Sequence, residues 1–262
     1  MRRRMDAMFT DYRNIPCGDM PGDKIVIEEK HVAKAETIYP ELKKLVDELM
    51  ADDPDRKLVI GVCGGSGVGK SETASLLGWM LHEDGIETYI LSGDNYPHRI
   101  PAENDAERRR LYEEGGEDAL EAYLGTDQEA DFQRVEKICM DFKAGAPSLL
   151  LKRMGRTRDD IWDEEVTMAG KQALIIEWTH AGSSQFQGVD IIILLNSTPE
   201  ETLEHRRKRA RDGEVDSPFT KKVLEIEQRH LNRDAHRANI ILTKDGRIID
   251  YAEFCGLMGL EE

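Results

Sequence analysis

Residues 64–71 constrain this chain more than any other stretch: they read GGSGVGKS, a match to GxxxxGK[ST], set between the apolar run LVIGVC and the helix-patterned ETASLLGWML. Glycines in such a loop let consecutive backbone N–H groups turn inward around phosphate oxygens, where a side chain would block the approach. Lys70 can place its charge on the β and γ phosphates and Ser71 can ligate Mg²⁺, while the following helix points its positive N-terminal end at the same anions. The bare pattern also arises by chance in glycine-rich turns, but chance does not supply the strand before it and the helix after it. Gly65, Ser66, Gly67, Val68, Gly69, Lys70 and Ser71 are therefore read as a cradle for Mg·ATP.

The rest of the chain is organised around that motif. Apolar runs at 58–63, 87–92, 173–178, 190–195 and 239–242 are bounded by turn residues and separated by helical patterns, which is the alternation of a parallel sheet. Sequences such as ALIIEW and DIIILL are apolar almost throughout, so these strands should be buried on both faces. The expected fold is α/β, a P-loop NTPase three-layer sandwich with a mostly parallel five-stranded core sheet. Leu77, Met80 and Leu81 make one apolar helix face, which Gly85 is placed to end. Thr198, Pro199 and Glu201 spell a complete capping box, and Ser217 with Pro218 repeats the helix start. Residues 1–56 are expected to form an extension in which KIVIEE could be a strand and a helix begins near Pro40. A polar joint at 51–55 separates it from a P-loop domain at 57–262, with a substrate and lid insert near 95–171.

Charge narrows the partners. With 36 Lys and Arg against 52 Asp and Glu, the formal net charge is −16, which argues against a general binder of nucleic acid or anionic membrane. Any anion must be held in a local basic pocket. Cys17, Cys63, Cys139 and Cys255 are scattered without metal-ligand spacing and read as reduced thiols. The basic start MRRRMDA lacks an apolar stretch of signal length, and no window is apolar enough to span a bilayer. The expectation is an untargeted, cytoplasmic protein acting on a small molecule, with a homodimer as one assembly open to it.

The switch motifs of a regulatory GTPase are missing where the strands end. Instead the second strand leads into SGDNYPHR, with Asp94 at the carboxyl edge where ligands of such sheets sit. An aspartate in GDN could equally serve the turn. Glu177 ends an otherwise apolar strand, a costly place for a carboxylate unless a metal or a cation pairs with it. With HRRKRARDGE at 205–214 and the segment DFQRVEK…LIIEW at 131–178, these features give the chain, over roughly residues 57–243, an order that resembles the uridine kinase and phosphoribulokinase family. The resemblance implies that Asp94 accepts the proton of the substrate hydroxyl and that Glu177 helps Ser71 hold Mg²⁺. It also implies a lid helix whose candidates are Arg206, Arg207, Arg209 and Arg211, with Arg207 at the transferring group and Arg211 at the nucleotide. The same arginines could be a solvated helix face.

The segment that reads the base in that family's uridine kinases is here LKRMGRTR at 151–158, without its Tyr or His, so a different acceptor is expected. Tyr96, Arg99, Arg153, Arg156 and Arg158 are the candidate acceptor-binding residues. Lys152 and His98 add to a basic cluster that suggests an anionic acceptor, since arginine grips carboxylate or phosphate bidentately. The alternative is that these cations pair across a hairpin with Asp159, Asp160, Asp163, Glu164 and Glu165. The leading function is an ATP-dependent small-molecule kinase. Two others are kept: a nucleotide-dependent switch or ATPase acting through a partner, and an enzyme similar to adenylylsulfate kinase, which shares the GDN followed by His.

Overall fold

The computed structural model describes residues 15–209 and 217–260. In chain order they form α1 (Glu29–Met50), β1 (Leu58–Gly64), α2 (Lys70–Glu83), β2 (Thr88–Ser92), α3 (Pro101–Tyr123), α4 (Phe132–Lys143), β3 (Ser148–Met154) and β4 (Ile161–Thr167). There follow β5 (Ala173–Glu177), β6 (Ile191–Leu195), α5 (Pro199–Arg209), α6 (Pro218–Asp234), β7 (Ile240–Leu242), β8 (Ile248–Ile249) and α7 (Tyr251–Met258).

The sheet has six strands in the order β2-β5-β1-β6-β7-β8. The five expected strands run parallel, and the sixth, β8, adds an antiparallel edge through β7. Residues of β1, β5 and β6 are buried throughout, as their unbroken apolar runs require in a sheet covered on both faces. Odd and even positions face different layers: Leu58, Ile60 and Val62 meet α1 and α2, whereas Val59 and Cys63 meet α4 and α7. Parallel register aligns Val62 with Glu177 and Glu177 with Ser92, so the carboxyl ends of β1, β5 and β2 finish side by side.

Both capping devices form. Thr198 Oγ1 accepts from the Glu201 amide at 3.3 Å while Glu201 Oε2 accepts from the Thr198 amide at 2.8 Å, and Ser217 Oγ accepts from the Thr220 amide at 3.0 Å. The N-terminal expectations need correcting. The helix starts eleven residues earlier than Pro40, at Glu29, because Val32, Ala35, Ile38, Leu42 and Val46 make a continuous buried stripe that carries it through the exposed proline. Residues 24–28 are not a strand; Ile25 and Ile27 pack as a loop against the same core. Among the described residues no helix is long and apolar enough to cross a membrane.

Candidate active site

Loop 64–69 links β1 to α2, and its backbone departs from what other residues adopt. Gly69 has φ +92°, and a Cβ on Gly64 would sit 2.5 Å from the Leu195 carbonyl, so neither position admits a side chain without moving the loop. Lys70 Nζ donates to the carbonyls of Gly64 at 3.1 Å and Gly65 at 3.2 Å, across the mouth of the loop. Helix α1 supports the loop from outside: Lys34 Nζ donates to the Val68 carbonyl at 2.8 Å, and the buried His31 ring lies against Gly69. Burial, reinforced by Lys244 and Lys30, lowers Lys34 to about 8, and burial lowers His31 to about 4.

The carboxylates lie next to this loop because the sheet register places them there. Glu177, 4 % exposed, accepts from Ser71 Oγ at 3.0 Å and from Ser92 Oγ at 2.5 Å. Burial and then the charge of Asp94 raise its pKa to about 8. Asp94 is exposed on the short 3₁₀ turn Gly93–Asn95 that follows β2. Four of the expected residues, Lys70, Ser71, Asp94 and Glu177, thus converge at the carboxyl edge of the sheet. A hydroxyl and a carboxylate in contact beside a phosphate cradle suit Mg²⁺, which prefers oxygen donors and shares its coordination with substrate phosphates. Among the described residues no group of three or more His, Cys, Asp or Glu is placed to hold a metal without such help.

The acceptor-side candidates fare differently. Tyr96 is fully buried in the core with Phe132 and Trp178, so it does not line an open site. Arg153 is also buried: Nη1 pairs with Asp19 at 2.7 Å, Nε with Glu164 at 2.9 Å, and Nη2 donates to Tyr89 at 3.0 Å. Its expected role as a substrate-gripping cation is corrected to that of a paired internal charge. Arg158 is exposed and pairs with Glu103, and Lys152 donates to the Pro97 carbonyl, so the basic cluster is dispersed rather than gathered. Arg99 is half-buried and donates to the Tyr123 hydroxyl at 3.2 Å, and Arg156 is exposed beyond the end of β3. Arg207 is exposed on α5 and Arg206 is buried, donating to the Pro199 carbonyl at 2.8 Å; Arg211 lies outside the described residues.

Sequence reasoning missed a second polar centre. Glu129, 3 % exposed, accepts from Arg108 Nη2 at 2.6 Å, Asn104 Nδ2 at 2.9 Å and the Gly125 amide at 2.7 Å. Burial opposes its charge, but Arg108 and the other donors outweigh that and hold its carboxyl below the usual range. Beside it His180 is lowered to about 4 by burial, and its ring meets Trp178 edge-on at 5.1 Å. His180, His230, Thr179, Ser183, Gly125 and Cys63 line a small cleft that reaches the end of β1.

No family model matches the chain. It is similar to a possible uridine kinase of Bacillus stearothermophilus, with 19 % identity, a TM-score of 0.51 and coverage of 77 % of this chain and 98 % of that one. It is also similar to D-glycerate 3-kinase of Cryptococcus neoformans, with 12 % identity, a TM-score of 0.51 and coverage of 86 % and 99 %. This is the fold of the uridine kinase-like P-loop kinases. In sequence, the P-loop kinase-fold chain is 42 % identical over 217 residues to the bifunctional alpha-galactosidase/sucrose kinase of Mediterraneibacter gnavus. That match takes in 83 % of this chain but only 23 % of the relative, so the chain spans about a quarter of the protein it resembles.

Proposed function

We propose that this chain is an ATP-dependent kinase that transfers the γ-phosphate to a hydroxyl of a neutral saccharide. The observation that carries the reading is the contact of Ser71 with Glu177 beside the glycine loop, with Asp94 on the adjoining strand end. Phosphoryl transfer asks the protein mainly for positioning and charge neutralisation. Asp94, exposed at the carboxyl edge, orients the attacking hydroxyl and takes its proton. Lys70 neutralises the β and γ phosphates, and Arg207 with Arg211 serves the lid. Ser71 and Glu177 hold Mg²⁺, which supplies charge to the transferring phosphate when bound. Four free cysteines suit the reducing cytoplasm, where ATP is at hand.

Two considerations favour a neutral saccharide. The sequence relative is described as a sucrose kinase. Two of the hairpin cations that suggested an anion already have carboxylate partners within the chain, Arg153 in Asp19 and Glu164 and Arg158 in Glu103. The test is ADP release with Mg·ATP against a panel of mono- and disaccharides, sugar phosphates and hydroxy acids. A large increase with neutral sugars is expected. A preference for the anionic compounds would overturn the acceptor class, and turnover indifferent to every compound would instead favour a nucleotide-dependent switch.

A further inference from the structure

Strand β2 is the edge of the sheet, and the last amide on its open side belongs to Ser92. An edge N–H beside a catalytic turn needs a partner if the turn is to hold one position. That partner comes from the N-terminal extension. Asp19 Oδ1 accepts from the Ser92 amide at 2.7 Å and from Asn95 Nδ2 at 3.0 Å. Asp19 Oδ2 accepts from the Tyr89 hydroxyl at 2.9 Å and pairs with Arg153 Nη1 at 2.7 Å. Ser92 and Asn95 bracket the turn that carries Asp94, and the hydroxyl of Ser92 donates to Glu177. Asn95 Oδ1 in turn accepts from the Met154 amide at 3.0 Å, tying in the end of β3. The backbone around Asp19 passes over the site as well: a Cβ on Gly18 would lie 3.3 Å from Glu177 Oε1.

We propose that residues 15–22 are a strap of the active site, with Asp19 the positioning residue that holds the Asp94 turn against β5 and the β3–β4 hairpin. One carboxylate, 8 % exposed, joins strand, turn and hairpin at both of its oxygens. The Asp19 carboxylate is engaged by the protein groups Ser92, Asn95, Tyr89 and Arg153. It acts through Asp94, and in this the inference rests on the kinase reading. Loss of its carboxylate lets the turn drift, and misplacement by about 1 Å costs on the order of 10²-fold in rate. The glycine loop is held separately by α1 and keeps its grip on nucleotide.

The test uses the full chain with Asp19→Ala and the near-isosteric Asp19→Asn. For Asp19→Ala, kcat should fall about 10- to 100-fold with KM for Mg·ATP changed less than about twofold, and Asp19→Asn, which can still accept from the Ser92 amide, should recover part of it. Hydrogen–deuterium exchange should quicken at 92–95 and stay unchanged at 64–70. Wild-type kcat in Asp19→Ala, or equal loosening of the glycine loop, overturns the proposal. Should neither variant fold, the wild type decides: a Ser92 amide exchanging like a free edge amide overturns it, and one protected like the core strands supports it. If the wild type phosphorylates no acceptor, the kinase reading fails while Ser92 protection still decides the strap.

Discussion

Gly93→Ala is the sharpest single perturbation of this site, because the added methyl has nowhere to go. Its Cβ would lie 1.9 Å from Trp178 Cγ, 2.3 Å from Trp178 Cβ and 2.4 Å from Cδ2. Trp178 Cβ cannot yield alone, since its backbone N–H donates to the Val62 carbonyl at 3.1 Å at the end of β5. Swinging the indole out would forfeit a side chain 3 % exposed and packed on Phe132 at 4.8 Å between ring centroids. For an aromatic burying 150–250 Å², that loss is about 4–6 kcal/mol. Shifting the turn away from β5 costs less, about 1–3 kcal/mol for an overpacked site, and so is the route taken.

That route has two readouts. In a domain of this size, 3 kcal/mol lowers Tm by about 6–12 °C, and moving Asp94 away from Glu177 lowers turnover by on the order of 10²-fold. Trp178→Phe should not rescue the variant, because Phe keeps both the Cβ and the Cγ that clash. Gly256→Ala, with nothing within 4 Å of its added methyl, is the matched control and should stabilise by about 0.4–1 kcal/mol. Thermal melts by circular dichroism and an ADP-release assay suffice. A Gly93→Ala protein melting within about 2 °C of wild type with normal turnover would refute the steric reasoning.

The remaining predictions concern binding, chemistry and pH. Lys70→Ala should abolish the Mg·ATP-induced rise in Tm, which for wild type at a hundredfold excess over Kd corresponds to about 2.7 kcal/mol; an unchanged rise would remove Lys70 from the phosphates. Asp94→Asn should keep that rise and lose on the order of 10²-fold or more in turnover, and near-normal turnover would return Asp94 to a turn residue. His31 and His180 each titrate near 4 when folded and near 6.5 when unfolded. The native state therefore binds fewer protons in between, and stability present above 6.5 is lost as pH falls to 4, by on the order of 3 kcal/mol per histidine. Urea unfolding at pH 7 and pH 4.5 should show a smaller drop for His180→Gln than for wild type, and an equal drop would mean that His180 is not held neutral.

The phosphate side of the candidate site was legible because the residues proposed for it run along the chain. Seven consecutive residues, 65–71, carry the cradle, and the strand and helix around them are short-range patterns. Asp94 and Glu177 could be singled out as candidates because one follows and the other ends an apolar strand, and parallel sheets collect such ends at one edge. What decided the acceptor side is long-range pairing. Arg153 meets Asp19 across 134 positions, and Arg108 meets Glu129 across 21, with no periodicity to announce either. Asp19 sits in GDMPGD, which reads as an ordinary turn, and His180 follows its strand as one polar residue among several. Helix α1 was misplaced for a related reason: Pro40 is a strong local stop signal, and burial of its stripe against α2 outweighs it.

The basic run at 151–158 has an explanation in the fold that needs no anionic acceptor. LKRMGRTR is basic in an acidic chain, but each β3 side chain belongs to one of two faces and to a partner strand. On one face Arg153 is drawn inward to Asp19, and desolvation there would be prohibitive without that partner. On the paired strand β4, Asp163 meets Arg134 at 2.5 Å, so the acidic run answers cations from α4 as well as from β3. Arg153 and Arg158, each paired with a carboxylate, have less field left for a carboxylate or phosphate ligand. Hydroxyls need instead groups that both donate and accept, and an imidazole kept neutral by burial, as His180 is beside the cleft, offers one of each.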